Sequence, residues 1–404
     1  MKLIIKKWLE GYPKLYKYIS KIYFYYMESI RIIRSIITIP FMLMPLKNNK
    51  VVICNYYGNG YGDNGKYIVE EIIRQGLDYD IVWLLKKDMN GKTEFPVKVR
   101  TVEYGSLRAL FEMSTAKVWI DNCRKDFYPL KRKKQYYIQT WHSPLRLKKI
   151  EKDAEDKLSA EYIKMAKKDS KNIDLMISGC DFSWNIYRYS FWYKGDILKC
   201  GTPRCDLFFN KNNNIRKKVI SFFTLGSSSK LILFAPTFRS NHNIDAYTLE
   251  YEEILNALEK RFGEEWTFLV RLHPNVSYLS TLIECNSKVV NATGYDDMQE
   301  LLCAVDILIT DYSSSMFDMA IAGKICFLHG EDVNDYLIKE REMYFSFDEL
   351  PFAFSKTNKE LIENILKFDE TEYKNKLNNF FKVINLYETG NASQQLVEKI
   401  KCIK

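Results

Sequence analysis

The chain has 404 residues, 47% hydrophobic, 27% charged and 15% aromatic, which is material for two to three domains with cores of their own and too apolar for disorder. Its 17 glycines and 10 prolines are too few for a fibrous or low-complexity protein, and nine cysteines without a C-x-x-C pair, beside four histidines, exclude a disulfide framework, a patterned zinc site and a His-rich centre. The net charge of +9 is local: residues 1–50 carry ten Lys or Arg against Glu10 and Glu28, so the remaining 354 residues carry +1, whereas a nucleic-acid binder spreads its basic face over the folded domain.

The first 49 residues alternate basic with apolar and aromatic positions, as in Lys6, Lys7, Trp8, Lys14, Lys17, Tyr18 and Lys21. A secretory signal needs an uninterrupted apolar core of about 7–15 residues, and Glu10, Lys14, Lys17 and Lys21 break it up. The uncharged run from Ser35 to Leu46 holds Pro40 and Pro45 and is too short for the roughly 20 residues of a spanning helix. Basic residues beside Trp and Tyr fit a helix lying on an anionic membrane surface. The alternative is a helical hairpin packed on the protein's own core.

From residue 50 short apolar runs alternate with amphipathic helices. Strands are predicted at Val51–Cys54, Ile81–Leu85, Lys117–Ile120, Tyr136–Thr140 and Ile173–Ser178, with helices over Asn64–Arg74 and from Phe182. The polar stretch Asn210–Lys218 marks a boundary. Beyond it, strands are predicted at Leu231–Ala235, Trp266–Val270, Val305–Thr310 and Ile325–Leu328, with helices at Tyr251–Arg261 and Ser313–Ala322. Strands separated by helices form parallel sheets covered on both faces. We expect a basic segment at 1–49 and two α/β domains, 50–209 and 210–404, with ligands beyond the carboxyl ends of the strands.

One motif is set aside at once. Gly60 to Lys66 matches G-x-x-x-x-G-K, but Tyr67 stands where a phosphate loop needs Ser or Thr for Mg²⁺. It reads as a Gly-rich turn whose Gly60 and Gly62 let a substrate approach the backbone.

Stronger signals lie at strand ends. Tyr136–Thr140 runs into Trp141-His142-Ser143, which places His142 in the crevice as a general base or as a histidine bonded within a packed turn. Arg271-Leu272-His273-Pro274 repeats the arrangement in the second domain, with Pro274 turning the chain. Asp311, Ser313 and Ser314 join a strand to a helix and serve as caps, as an anion site, or as both. Arg204, in Gly201-Thr202-Pro203-Arg204, and Arg239, in Ala235-Pro236-Thr237-Phe238-Arg239, are suited to phosphate contact or to ion pairing. His242 and His329 read as structural.

Taken in order, Gln139-Thr140-Trp141-His142, Gly201 to Arg204, Ala235 to Arg239, Arg271 to Pro274, and Thr310 to Ser314 with Phe317-Asp318 resemble the CDP-glycerol glycerophosphotransferase family, the alditol-phosphate transferases of teichoic acid and capsule synthesis. The resemblance covers about residues 50–400. It implies a GT-B-like fold of two Rossmann-type domains facing a cleft and a peripheral protein on the cytoplasmic face of the bacterial membrane. Ser143 stands where the family has Gly, on the acceptor side, and Cys205 where it has Asn.

By the same resemblance the donor is CDP-glycerol or CDP-ribitol, the acceptor is lipid-linked, and CMP is released. His142 is the base. His273 is the second catalytic residue, stabilising the leaving CMP; with it Arg204, Arg239, Arg271, Asp311, Ser313 and Ser314 hold the donor phosphates, and no metal or other cofactor is implied. Two other readings remain at this point: a GT-B glycosyltransferase using a nucleotide sugar, and a non-catalytic membrane adaptor.

Overall fold

The computed structural model describes residues 13–125, 129–210, 214–226, 230–239, 247, 249–339 and 342–403. His242 and the start of the basic head, including Lys6, Lys7 and Trp8, lie outside them. Thirteen strands among these residues form two sheets. The first holds β1 (Lys47–Cys54), β2 (Asp80–Leu85), β3 (Val99–Glu103), β4 (Ala116–Asp121), β5 (Tyr136–Gln139), β6 (Leu175–Ser178) and β7 (Asp196–Lys199). The second holds β8 (Lys230–Ala235), β9 (Trp266–Val270), β10 (Val289–Asn291), β11 (Ile307–Thr310), β12 (Ile325–His329) and β13 (Ala353–Ser355).

The strand orders are β3-β2-β1-β4-β5-β6-β7 and β10-β9-β8-β11-β12-β13. Both are parallel throughout, with Val52 of β1 opposite Val82 and Trp119, and Ile309 of β11 opposite Phe234 and Phe327. Each is the doubly wound order in which the chain reverses direction beside the first strand. The continuous apolar runs are explained by this architecture. Val51, Val52 and Ile53 are almost wholly buried because helices cover both faces.

On one face of the first sheet, Val51, Ile53 and Ile120 pack against Ile68, Val69 and Ile72 of the helix Asp63–Arg74. The last helix, Ala392–Lys401, returns to that same face and adds Leu396, Val397 and Ile400. The second sheet has its own two cores, one of which also takes in Leu145, Leu147 and Cys180 from the first half of the chain.

Buried charges fasten the two halves as well. Lys66 pairs with Asp297 at 2.6 Å and Glu300 at 2.7 Å. Arg204 pairs with Asp63 at 2.7 Å and Asp318 at 2.6 Å. Short antiparallel bridges link Lys148 to Met343 and Cys180 to Leu386. Lys66 is thereby committed to an ion pair, in agreement with reading its motif as a turn rather than a phosphate loop.

Ahead of β1, the helix Pro13–Ile37 leaves Tyr18, Ile22, Tyr25, Tyr26, Ile32, Ile33 and Ile36 each more than half exposed. A short helix, Ile39–Met42, joins it to the first domain, where Phe41 meets Phe111 edge-on at 5.6 Å. No described helix is long and apolar enough to cross a membrane.

Candidate active site

The loops that leave β1 and β5 of the first sheet face those that leave β8, β9, β10 and β11 of the second. Between them lies a cleft of about 640 Å³, bordered by Gly60, Gly62, His142, Ser143, Arg204, Arg271, His273, Ser313 and Ser314. Arg239 and Asp311 are not part of its lining.

His142 is placed by a strained turn. Trp141, two residues after β5, sits at φ +53°, a left-handed conformation costly for a bulky residue. Polar contacts hold it there: its N–H donates to Gln139 Oε1 at 2.9 Å, and its carbonyl accepts from Asn64 Nδ2 at 2.9 Å. The His142 ring stacks on the Trp141 ring at 4.5 Å. Its Nδ1 lies 2.8 Å from the Asn122 carbonyl oxygen. A carbonyl only accepts, so Nδ1 carries the proton and Nε2 keeps its lone pair. Burial lowers the His142 pKa to about 4, against the opposing pull of the Asn122 bond and Asp63, so the imidazole is neutral near pH 7.

His273 has the opposite arrangement. It caps the short helix Pro274–Leu282, and its Nδ1 accepts from the Asn275 N–H at 3.2 Å. Nδ1 is therefore the acceptor, and Nε2–H is left as a donor. Desolvation, then the nearby cations Lys148 and Arg271, lower its pKa. Beside it, Arg271 Nη2 donates to the Asp296 carbonyl at 3.2 Å, while the buried Nη1 has no partner. Burial lowers the pKa of this guanidinium despite Asp297 and Asp296 nearby. Ser313 and Ser314 complete this wall. Ser313 Oγ accepts from the Ser315 N–H at 3.3 Å, and the Ser314 side chain makes no capping bond.

The other two arginines are engaged in buried ion pairs, one of the two uses their sequence context offered. Arg204 borders the cleft, but Nε and Nη2 grip Asp318 at 3.0 and 2.6 Å and Nη1 holds Asp63 at 2.7 Å. It neutralises carboxylates across the domain junction. Arg239 is buried against the Tyr312 and Tyr336 rings and paired with Asp311 at 2.8 Å and Asp332 at 2.6 Å. Asp311 does not cap the helix Ser315–Ile321. It accepts the Thr237 N–H at 2.9 Å and the Tyr312 N–H at 2.6 Å, which fixes the turn after β8 against the one after β11.

The family model for CDP-glycerol:poly(glycerophosphate) glycerophosphotransferases matches residues 37–401. The chain belongs to this family. It is 28% identical to a teichoic acid poly(glycerol phosphate) polymerase of Bacillus spizizenii over 94% of this chain and 99% of that protein. It is also 28% identical to a teichoic acid glycerol-phosphate transferase of Staphylococcus aureus, over 91% and 96% of the two chains. It spans about half, 51%, of a polymerase of the first type from Staphylococcus epidermidis. Among solved structures, a His-to-Asn variant of the wall teichoic acid polymerase TagF soaked with CDPG superposes with a TM-score of 0.79 at 26% identity, over 92% of this chain and 93% of that one. The GT-B-like fold expected from the sequence is thereby established for this member of the family.

Several site residues escaped the sequence reading. Asp63 accepts from the Tyr56 hydroxyl at 2.8 Å. Burial works against its charge, but Arg204 and the Asn64 N–H hold its carboxyl below the usual range. Asn122, directly after β4, orients His142 through its carbonyl. Glu388 braces the turn before Arg204 by accepting the Thr202 N–H at 2.9 Å. Its other oxygen has no partner, and burial raises its pKa to about 8. Arg146, four residues after His142, also borders the cleft. Asn122, following an apolar run, was the one with a usable sequence signal.

Proposed function

We propose that this chain transfers an alditol phosphate, from CDP-glycerol or CDP-ribitol, to a hydroxyl of a lipid-linked acceptor in teichoic acid or capsule synthesis. The observation that carries this reading is the complementary pair of histidines bordering one cleft, one with a free lone pair and one with a free N–H. Membership of the glycerophosphotransferase family supports the reaction class.

In this mechanism His142 Nε2 takes the proton of the acceptor hydroxyl as its oxygen attacks the alditol-bearing phosphorus. The new O–P bond forms, the P–O bond to the bridging oxygen breaks, and CMP leaves. Transfer of this kind depends mainly on positioning and charge neutralisation. Arg271, with its spare donor, the Nε2–H of His273, and the Ser313 and Ser314 hydroxyls hold the diphosphate and stabilise the leaving group. Arg204, Arg239 and Asp311 build the walls on which those groups stand. Gly60, Gly62 and Ser143 border the acceptor side.

The exposed apolar side of Pro13–Ile37, in a segment rich in basic residues, rests on the anionic cytoplasmic face of the membrane and brings the cleft to its lipid-linked acceptor. The deciding assay follows radiolabelled nucleotide release. CMP from CDP-glycerol or CDP-ribitol, dependent on a lipid acceptor, is the expected product. Release of UDP from a nucleotide sugar instead would make the protein a glycosyltransferase, and retained activity in a double His142 and His273 substitution would remove the histidines from the chemistry.

A further inference from the structure

A buried cation is costly unless an anion accompanies it. Lys50, Lys66, Lys125, Arg124, Arg204 and Arg239 all obey this rule, each within 2.8 Å of a carboxylate oxygen. Arg146 departs from it. Its residue is 3% exposed. Nη2 donates to the Ser143 carbonyl at 3.2 Å and to the Tyr187 hydroxyl at 2.6 Å, and the guanidinium lies 4.7 Å from the centre of the Tyr187 ring. These neighbours are neutral, and Nε and Nη1 are buried without any partner. The side chain borders the cleft on the wall that carries His142 and Ser143. Arg271, the other cleft arginine with an unpartnered nitrogen, belongs to the opposite wall.

We infer that Arg146 is the anchor for an anionic group of the acceptor, a phosphodiester next to the hydroxyl that His142 deprotonates. The inference rests on the reaction proposed above. That reaction brings two phosphorylated substrates into one cleft, and each wall of the cleft carries an arginine with a nitrogen that has no hydrogen-bond partner. Arg271 faces the donor diphosphate from the His273 side. Arg146 shares a tight turn with the base, so an anion on it sits within one alditol unit of the attacking oxygen. An acceptor already ending in alditol phosphate satisfies this geometry, while a neutral glycan end leaves Arg146 unpaired. The chain is therefore built to extend an alditol-phosphate end in preference to starting one.

The test measures kcat/KM with two synthetic lipid acceptors that share a lipid and a terminal alditol, one carrying a phosphodiester beside that alditol and the other a neutral linkage. Wild-type protein is expected to favour the phosphodiester acceptor by about 10–100-fold, as a charge-assisted contact of this kind provides. Equal use of the two acceptors overturns the inference without any mutant. Arg146→Gln should raise KM for the phosphodiester acceptor by at least about tenfold and abolish the preference, with KM for the CDP-alditol changed less than about threefold. Arg146→Lys, which keeps the charge, should restore part of the preference, and it decides the matter if the glutamine variant does not fold. An equal rise in donor KM would assign Arg146 to the donor instead. Absence of CMP release with either acceptor and either CDP-alditol would overturn the parent reading.

Discussion

In the proposed mechanism the base depends on the other nitrogen of His142. With Nδ1–H fixed on the Asn122 carbonyl, the basic nitrogen cannot turn away from the cleft. His142→Ala should lower kcat by about 10²–10⁴-fold, the usual contribution of a general base, while equilibrium dialysis shows donor binding nearly intact. The pKa of about 4 also sets the sign of the pH response. The imidazole becomes charged only as pH falls towards 4, so the acid limb of kcat/KM should lie well below the ordinary histidine value. Glu388 has the reverse linkage. Its carboxyl holds a proton up to about pH 8 in the fold and loses it near the usual carboxylate value when unfolded. The stability it confers is full at low pH and lost as pH rises towards 8. Glu388→Gln should therefore raise the melting temperature at pH 8 by roughly 2–4 °C for each kcal/mol regained, with a smaller gain at pH 5, as read by paired thermal melts. The histidines could be read from the sequence because each stands three residues past the end of an apolar strand. The arginines could not be assigned that way. Asp318 lies 114 residues from Arg204, and Asp332 lies 93 from Arg239, so only the fold reveals whether such a cation is spent on a carboxylate or kept for a ligand.

At the scale of elements, the central strands were legible because burial on both faces makes them continuous apolar runs. The edge strands β10 and β13 have three residues each, too short for any period to register. The closing helices 358–366, 370–384 and 392–401 went unread as well, though their caps are ordinary: Thr357 and Asp369 accept N–H bonds in the first turns of two of them. The helix Pro13–Ile37 presents the opposite case, with its basic and aromatic composition plain in the sequence and its apolar side chains exposed in the fold. Deleting residues 1–46 should release the protein from anionic vesicles. High salt should weaken binding of the full chain without abolishing it, since salt screens charge but not apolar burial. Co-sedimentation of the two forms checks this, and equal partitioning would place the membrane contact elsewhere.

For the whole molecule, the fastening between the halves matters as much as either sheet. Arg204 and Lys66, both of the first half, hold carboxylates of the second half in buried sites, and removing one member of such a pair leaves a charge uncompensated at a cost of about 3–5 kcal/mol. Differential scanning calorimetry should show one main transition for the wild type. Asp318→Asn should lower it or split it in two, because Arg204 then keeps Asp63 alone. The returning helix adds a condition on synthesis. Leu396, Val397 and Ile400 complete a core whose other members begin at Val51. The first sheet thus cannot close that face while the ribosome is still making the second domain. A nascent chain stalled after β7 carries an open apolar face, and the amino-terminal half reaches its native state only when residues 392–401 emerge.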